Sequence, residues 1–362
     1  MTLQTRDARI LIMAGGTGGH VFPALAVAEY LREQGVSVSW LGTRKGIEAD
    51  LVPRANFEID YISISGLRGK GVLGWFFAPL RLLRALLQSV RVLRMRRPNA
   101  VLGMGGFVTG PGGIASWLLR KPLLIHEQNA IAGMTNRILA RFADVIMQGF
   151  PDTFPQSHCL HTGNPVRREI YAVPTPAERG VAQHDRLHVL VFGGSLGAQV
   201  LNEVIPAALA TISDEQRPLI HHQTGRHQLE LTQEHYLQHA VDADVTTFID
   251  DMAAAYAWAD IVICRAGALT IAELAAAGVA AVLVPYPHAV DDHQTANAAF
   301  LADAGAAMLV PQPEFTVDRV SNIFRIFLER PAILFDMANA ARAKAQPDAC
   351  RRVAEQCLQA MA

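Results

Sequence analysis

A chain of 362 residues that is 51% hydrophobic and 18% charged has enough apolar material for a large core, and two domains are the expectation. A formal net charge of -1 argues against a general nucleic-acid binder, which would carry a basic surplus. Cys159, Cys264, Cys350 and Cys357 form no CxxC pair and fit reduced thiols better than a disulfide framework. The opening MTLQTRDAR does not read as a signal peptide, and no uncharged apolar stretch approaches the ~20 residues of a membrane span.

Strands and helices alternate along the chain. Residues 9–13 read as an apolar strand that runs into the glycine turn MAGGTGGH, closing on His20. A helix is expected over 23–34, with Pro23 near its first turn and Gly35 just past its end, followed by a strand over 36–41. Between Asp60 and Glu127 there is no acidic residue, while Arg68, Lys70, Arg81, Arg84, Arg91, Arg94, Arg96, Arg97, Arg120 and Lys121 accumulate. Val72, Leu73, Trp75, Phe76 and Phe77 form an apolar cluster there, ahead of a helix over 80–95. On that helix Arg81, Arg84, Arg91 and Arg94 share one face, and Leu82, Leu83, Leu86, Val90 and Leu93 a neighbouring one. Cations beside an apolar face suit an anionic lipid interface; packing of the same face on a sheet is the plainer alternative.

Further strands are expected over 100–102, 123–126, 145–147, 187–192, 261–264 and 281–284, which makes a doubly wound parallel α/β architecture. The chain also repeats itself. LIMAGGTGG at 11–19 returns as LVFGGSLGA at 190–198, which predicts two Rossmann-like halves, with 173–186 as the linker. A third glycine turn, GMGGFVTGPGG at 103–113, belongs to the first half. Such turns let backbone N–H groups and a helix N-terminus approach an anion. A dinucleotide site is disfavoured, because the spacing is GGxGG and the second strand ends at Trp40-Leu41-Gly42-Thr43 without an acidic residue.

Nine ordered motifs then coincide with a known family. MAGGTGGHVFPALAVA, ISGLRGKG, GMGGFVTGPGG, HEQNAIAG, GNPVR, GGSLGA, FIDDMAAAYAWAD, CRAGALTIAELAAAG and PYPHAVDDHQTANA resemble the bacterial family-28 glycosyltransferases that turn lipid I into lipid II. The resemblance implies a GT-B fold, two Rossmann-like domains facing a cleft. Its boundaries would be an acceptor and membrane-facing domain over 1–166 and a UDP-N-acetylglucosamine domain over 167–343, with 344–362 returning to the first. It also implies the substrates UDP-N-acetylglucosamine and lipid I, an anionic membrane surface met through 67–97, and a peripheral place on the cytoplasmic face of the inner membrane.

Residue by residue, the resemblance turns the loop and helix start at Ala268, Leu269, Thr270, Ile271 and Ala272 toward the donor diphosphate, with Glu273 accepting the ribose hydroxyls. Ile249 takes the uracil-reading edge, Ser195 approaches phosphate, and Arg167 approaches uracil or phosphate. Asn129, Asn202 and Gln294 surround the N-acetylglucosamine, and Thr17, Gly18 and Gly19 border the donor as well. The acceptor diphosphate falls to Gly15, Gly16, Gly105 and Gly106. The base that takes the proton of the attacking hydroxyl is His20, with Glu127 as the other candidate. No metal or other cofactor is expected. Asp242-Ala243-Asp244 reads as a solvated turn, and Asp250-Asp251 and Asp291-Asp292 as helix starts. The rival readings are a UDP-N-acetylglucosamine 2-epimerase, a nicotinamide-dependent oxidoreductase and a non-catalytic nucleotide-binding regulator.

Overall fold

The apolar run Arg9–Met13 (β1) is buried from its second residue onward, as a strand covered on both faces must be. It pairs in parallel with β2 (Ser37–Gly42) on one side and β4 (Ala100–Gly103) on the other. With β3 (Glu58–Tyr61), β5 (Leu123–Glu127), β6 (Val145–Gln148) and β7 (Leu160–His161) it forms a seven-stranded sheet ordered β3-β2-β1-β4-β5-β6-β7. A second, six-stranded sheet holds β8 (His188–Phe192), β9 (Leu219–Gln223), β10 (Asp244–Thr246), β11 (Ile261–Cys264), β12 (Ala280–Leu283) and β13 (Ala307–Leu309) in the order β10-β9-β8-β11-β12-β13. The second order repeats that of the first six strands. Each sheet therefore switches direction beside a glycine turn, after β1 and after β8, where open α/β sheets bind ligands. The computed structural model describes residues 8–64, 77–154, 158–194 and 197–362.

The chain divides into two compact units, Met1–Arg167 with Pro347–Ala362, and Arg168–Gln346. In the first, the last helix Ala349–Met361 buries Val353, Ala354, Cys357 and Met361 in one core with Val21, Ala24 and Ala28 of the helix Gly18–Glu33. The Cys350 thiol donates to the Ala26 carbonyl at 3.2 Å.

Three expectations are corrected. The stretch 173–186 is no linker: it lies inside the second unit, where Val181 joins the core. Arg179 anchors it by donating to the carbonyls of Pro174, Tyr256, Ala259 and Gly278, and its burial pulls the guanidinium down to about 10. Secondly, the first helix starts at Gly18, ahead of the position Pro23 suggested. The His20 and Val21 N–H groups close the extra turn on the Thr17 carbonyl, so His20 stands in a helical first turn. Thirdly, the helix Ala78–Arg96 buries Ala85, Ser89, Val92 and Leu93, leaving Leu80, Leu82, Leu83 and Leu87 outside. The cluster at 72–76 lies outside the described residues.

Candidate active site

The turn after β1 is shaped by a buried carboxylate. Gly16 has φ +92°, in the left-handed region that favours glycine, and a methyl group on Gly15 would stand 2.5 Å from Glu48 Oε1. Glu48, fully buried, accepts from the N–H groups of Gly16 (2.9 Å) and Thr43 (2.9 Å) and from the Thr43 hydroxyl (2.8 Å). The Gly16 N–H is thus taken by the Glu48 carboxylate and is not left for a ligand anion. The N–H groups left for one are those of the first helical residues, Gly18 and Gly19, which a helix start leaves without an intrahelical partner.

The turn after β4 crosses the first one. Gly105 and Gly106 both have positive φ, +106° and +86°. A side chain on Gly106 would strike the Gly15 carbonyl, and one on Gly105 would stand 2.5 Å from His20 Nδ1. Both glycines therefore serve close approach: they let the His20 imidazole and the first turn pack against the second. His20 Nδ1 lies 2.9 Å from Gln128 Oε1. Gln128 Nε2 lies 3.0 Å from His126 Nδ1, and His126 Nε2 lies 3.0 Å from the Gly163 carbonyl. Full burial pushes the His126 imidazole down to about 4, so it is neutral near pH 7.

Glu127, at the end of β5, is a structural acceptor. Its Oε1 takes the N–H and the side-chain amide of Asn129, each at 3.0 Å. Its Oε2 takes the Gly133 N–H at 3.0 Å and the Asn136 amide at 2.9 Å. With four donors on a buried carboxylate, Glu127 shapes the loop that presents Asn129, and the fit to a base is poor. Arg167 stands over the Phe22 ring, 5.0 Å from its centroid.

In the second unit, Gly194 has φ +84°, the counterpart of Gly16 in the repeat, and Gly197 packs against the Thr224 carbonyl. Ser195 lies outside the described residues. After β11 the loop Arg265–Gly267 leads into the helix Ala268–Ala277, whose first N–H groups, from Ala268 to Thr270, precede the first closing bond of Ile271 N–H to the Gly267 carbonyl. Arg265 holds the loop through the Val284 and Pro285 carbonyls, and Asn297 through the Ala266 carbonyl. The Glu273 carboxylate, one turn into the helix, accepts from the Tyr256 hydroxyl at 3.1 Å. Gln294 Oε1 accepts the Tyr286 N–H at 2.9 Å, and Ile249 is buried.

Residues 10–148 match the glycosyltransferase family 28 N-terminal domain, and residues 188–353 match the family's C-terminal domain. The chain belongs to glycosyltransferase family 28. The UDP-N-acetylglucosamine--N-acetylmuramyl-(pentapeptide) pyrophosphoryl-undecaprenol N-acetylglucosamine transferase of Alkalilimnicola ehrlichii is 55% identical over 350 residues, 97% of this chain and 98% of that protein. Its namesake in Nitrosococcus oceani is 53% identical over 352 residues, 97% of this chain and 98% of that protein. Among solved structures, Acinetobacter baumannii MurG superposes with a TM-score of 0.82 at 45% identity, covering 98% of this chain and 100% of that one. A UDP-GlcNAc 2-epimerase from Neisseria meningitidis shares the fold at 13% identity, with a TM-score of 0.66 over 97% of this chain and 100% of that one.

Two assignments change within this family-28 enzyme. Asn202 is buried, with Oδ1 on His222 Nε2 at 3.0 Å and its amide on the Thr224 carbonyl at 3.2 Å. It braces the loop at Gly197 and is not placed to touch a sugar. Asp251 caps the helix Met252–Trp258 by accepting the Ala254 N–H, as expected, whereas Asp292 accepts the Thr295 hydroxyl and caps no backbone N–H. Asp244 begins β10 with its carboxylate 3.6 Å from His221 Nε2.

Among the described residues one group, His184, His188 and Asp260, brings potential metal-ligand atoms within 4.8 Å of one another. The two rings stack at 4.3 Å and 20°, so their in-plane lone pairs run side by side and do not converge. Their Nδ1 atoms already face Asp260 and the Trp258 carbonyl. This group clamps the start of β8.

Sequence reasoning passed over Gln128, Tyr256 and Glu48 in the glycosyltransferase. Gln128 carried a signal, since it sits inside HEQN between two residues that were singled out. Tyr256 likewise sits inside FIDDMAAAYAWAD, whereas Glu48, 32 residues from Gly16, lies in no quoted motif.

Proposed function

We propose that the chain moves N-acetylglucosamine from UDP-N-acetylglucosamine to the C4 hydroxyl of the N-acetylmuramyl residue of lipid I, giving lipid II. The observation that carries the reading is the full-length match to transferases of that name, supported by two helix starts suited to diphosphates. The second unit takes the donor: the N–H groups at Ala268–Thr270 meet its diphosphate, and Glu273, braced by Tyr256, binds the ribose hydroxyls. Ile249 takes the uracil, with Gln294 at the sugar.

In the first unit, the N–H groups at Gly18 and Gly19 receive the acceptor's diphosphate. His20 then takes the proton as the sugar hydroxyl attacks the anomeric carbon. The new C–O bond forms on the face opposite the departing UDP, so an α-linked donor gives a β-1,4 product in one displacement. Negative charge developing on UDP is met by the helix start at Ala268. Glu127 is set aside as the base because its oxygens already accept four hydrogen bonds. The reading requires no resident metal ion, and a strict need for a divalent cation would count against it.

The helix Ala78–Arg96 supports a place on an anionic membrane surface. Leu80, Leu83 and Leu87 form an exposed stripe flanked by Arg81, Arg84, Arg91 and Arg94. No described helix is long and apolar enough to cross a membrane, so contact would be peripheral, on the cytoplasmic face where UDP-sugars are held. The deciding experiment supplies UDP-N-acetylglucosamine with and without a lipid I analogue and follows UDP. Release that requires the acceptor supports transfer; acceptor-independent release supports an epimerase, and none supports a binding protein.

A further inference from the structure

We propose that Gln128 is a positioning residue that sets the tautomer of His20, holding the proton on Nδ1 and the lone pair on Nε2. The inference rests on reading His20 as the base. It follows from the order of donors and acceptors along four groups of the first unit. The Gly163 carbonyl can only accept, so the 3.0 Å contact places the proton of neutral His126 on Nε2. His126 Nδ1 must then accept, and its partner at 3.0 Å must be the amide nitrogen of Gln128. That fixes which way the Gln128 amide points, and its Nε2 also reaches the His126 carbonyl at 3.3 Å. Gln128 Oε1 is left facing His20 Nδ1 at 2.9 Å, and as a carbonyl oxygen it requires a hydrogen there. Neutral His20 therefore offers Nε2 to the attacking hydroxyl.

The line of contacts orients and does not conduct. An amide does not take up the proton His20 receives, and His126 is buried and neutral, so the proton leaves His20 only to solvent or product. The choice of an amide also keeps a negative charge from sitting against the imidazole, unlike the carboxylate that serves this position in hydrolytic triads. The charged and titratable groups on the surrounding elements are Glu48 beneath Gly15 and Gly16, Glu127 and His126 at the end of β5, His161 on β7, and Arg167 over Phe22. Of these, Glu127 is turned to Asn129, Gly133 and Asn136.

Two variants and one spectrum test it. In the wild-type chain, nitrogen-15 spectra of the imidazoles should show His20 as the Nδ1–H form near pH 8. In Gln128→Met, which removes the hydrogen bonds to both histidines at similar volume, His20 should become a mixture of tautomers. Its kcat should fall on the order of 10- to 100-fold while KM for UDP-N-acetylglucosamine stays within about twofold. Gln128→Glu keeps an acceptor toward Nδ1 but adds a charge, and the acid limb of kcat/KM should move up by about one pH unit. An Nε2–H form in the wild type, an unchanged tautomer in Gln128→Met, or an unmoved acid limb in Gln128→Glu overturns the proposal. The spectrum needs no turnover, so failure of the transfer reading and failure of this inference are separately visible.

Discussion

Gly105 and His20 are built for each other: the imidazole passes where any side chain at 105 would stand, with Nδ1 2.5 Å from the position of a methyl group. Gly105 also has φ +106°, so a substitution is opposed twice, by the ring and by the backbone. Gly105→Ala should displace His20 from Gln128. Its kcat should fall about 100-fold if His20 is the base proposed above, since misplacing a catalytic group by an ångström costs that much, while donor affinity, which the proposal assigns to the other unit, stays near wild type. Steady-state kinetics with both substrates varied would show it, and a wild-type kcat would refute the packing argument.

Tyr256 makes a separable claim about the donor. Its hydroxyl donates to Glu273, and removing one such bond costs on the order of 1 kcal/mol, or about fivefold in affinity. Tyr256→Phe should therefore raise KM for UDP-N-acetylglucosamine a few-fold and leave kcat alone. Glu273→Ala, which removes the proposed ribose acceptor itself, should raise KM much further. Isothermal titration with UDP checks both, and equal effects of the two substitutions would place Glu273 outside the donor site.

The exposed leucines give a test away from the chemistry. Leu80, Leu83 and Leu87 are 65%, 52% and 61% exposed, so changing all three to Ser removes no core packing. The triple variant should keep the melting temperature of the wild type and lose cosedimentation with vesicles of phosphatidylglycerol and phosphatidylethanolamine. Unchanged sedimentation would remove this helix from the membrane reading.

Acid should destabilise the protein through two buried imidazoles. Burial pushes His126 down to about 4 and His222 down to about 3, whereas both titrate near 6.5 when unfolded. Between these values the unfolded chain binds more protons than the folded one, so stability falls as pH drops below 6.5. Each histidine contributes a loss of about 1.4 kcal/mol per pH unit until its folded pKa is reached. Melting temperatures at pH 7.5, 6 and 5 should fall over the last step. His222→Gln should flatten the decline if it folds, and a flat profile in the wild type would contradict the buried, neutral state of both rings.

Much of this was legible without coordinates. The alternation of apolar runs with helical periodicity, the glycine turns and the repeat of Gly15-Gly16-Thr17 as Gly193-Gly194-Ser195 dictated two parallel sheets, because strand and helix periods and the conformational freedom of glycine are local properties of the chain. The motifs named the family. The helix start was misread because Pro23 is a strong local signal for a first turn, and only the Thr17 carbonyl, bonded by His20 and Val21, extends the helix back to Gly18. The linker was misread because 173–186 is polar and rich in turns, while its anchor, Arg179, serves carbonyls some 80 to 100 residues away.

The tertiary structure decided the roles of the polar groups. As letters in a sequence His20 leads Glu127 as the base but does not exclude it; they differ in how many donors surround them, which depends on loops that meet only in the folded unit. Asn202 reads like a sugar ligand until His222 and Thr224 are seen to hold it. Hydrogen-bond capacity is a property of a residue type, but its use is settled by neighbours distant in the chain. For that reason the sequence by itself determined the fold and the family, and only packing determined which side chains are left to act.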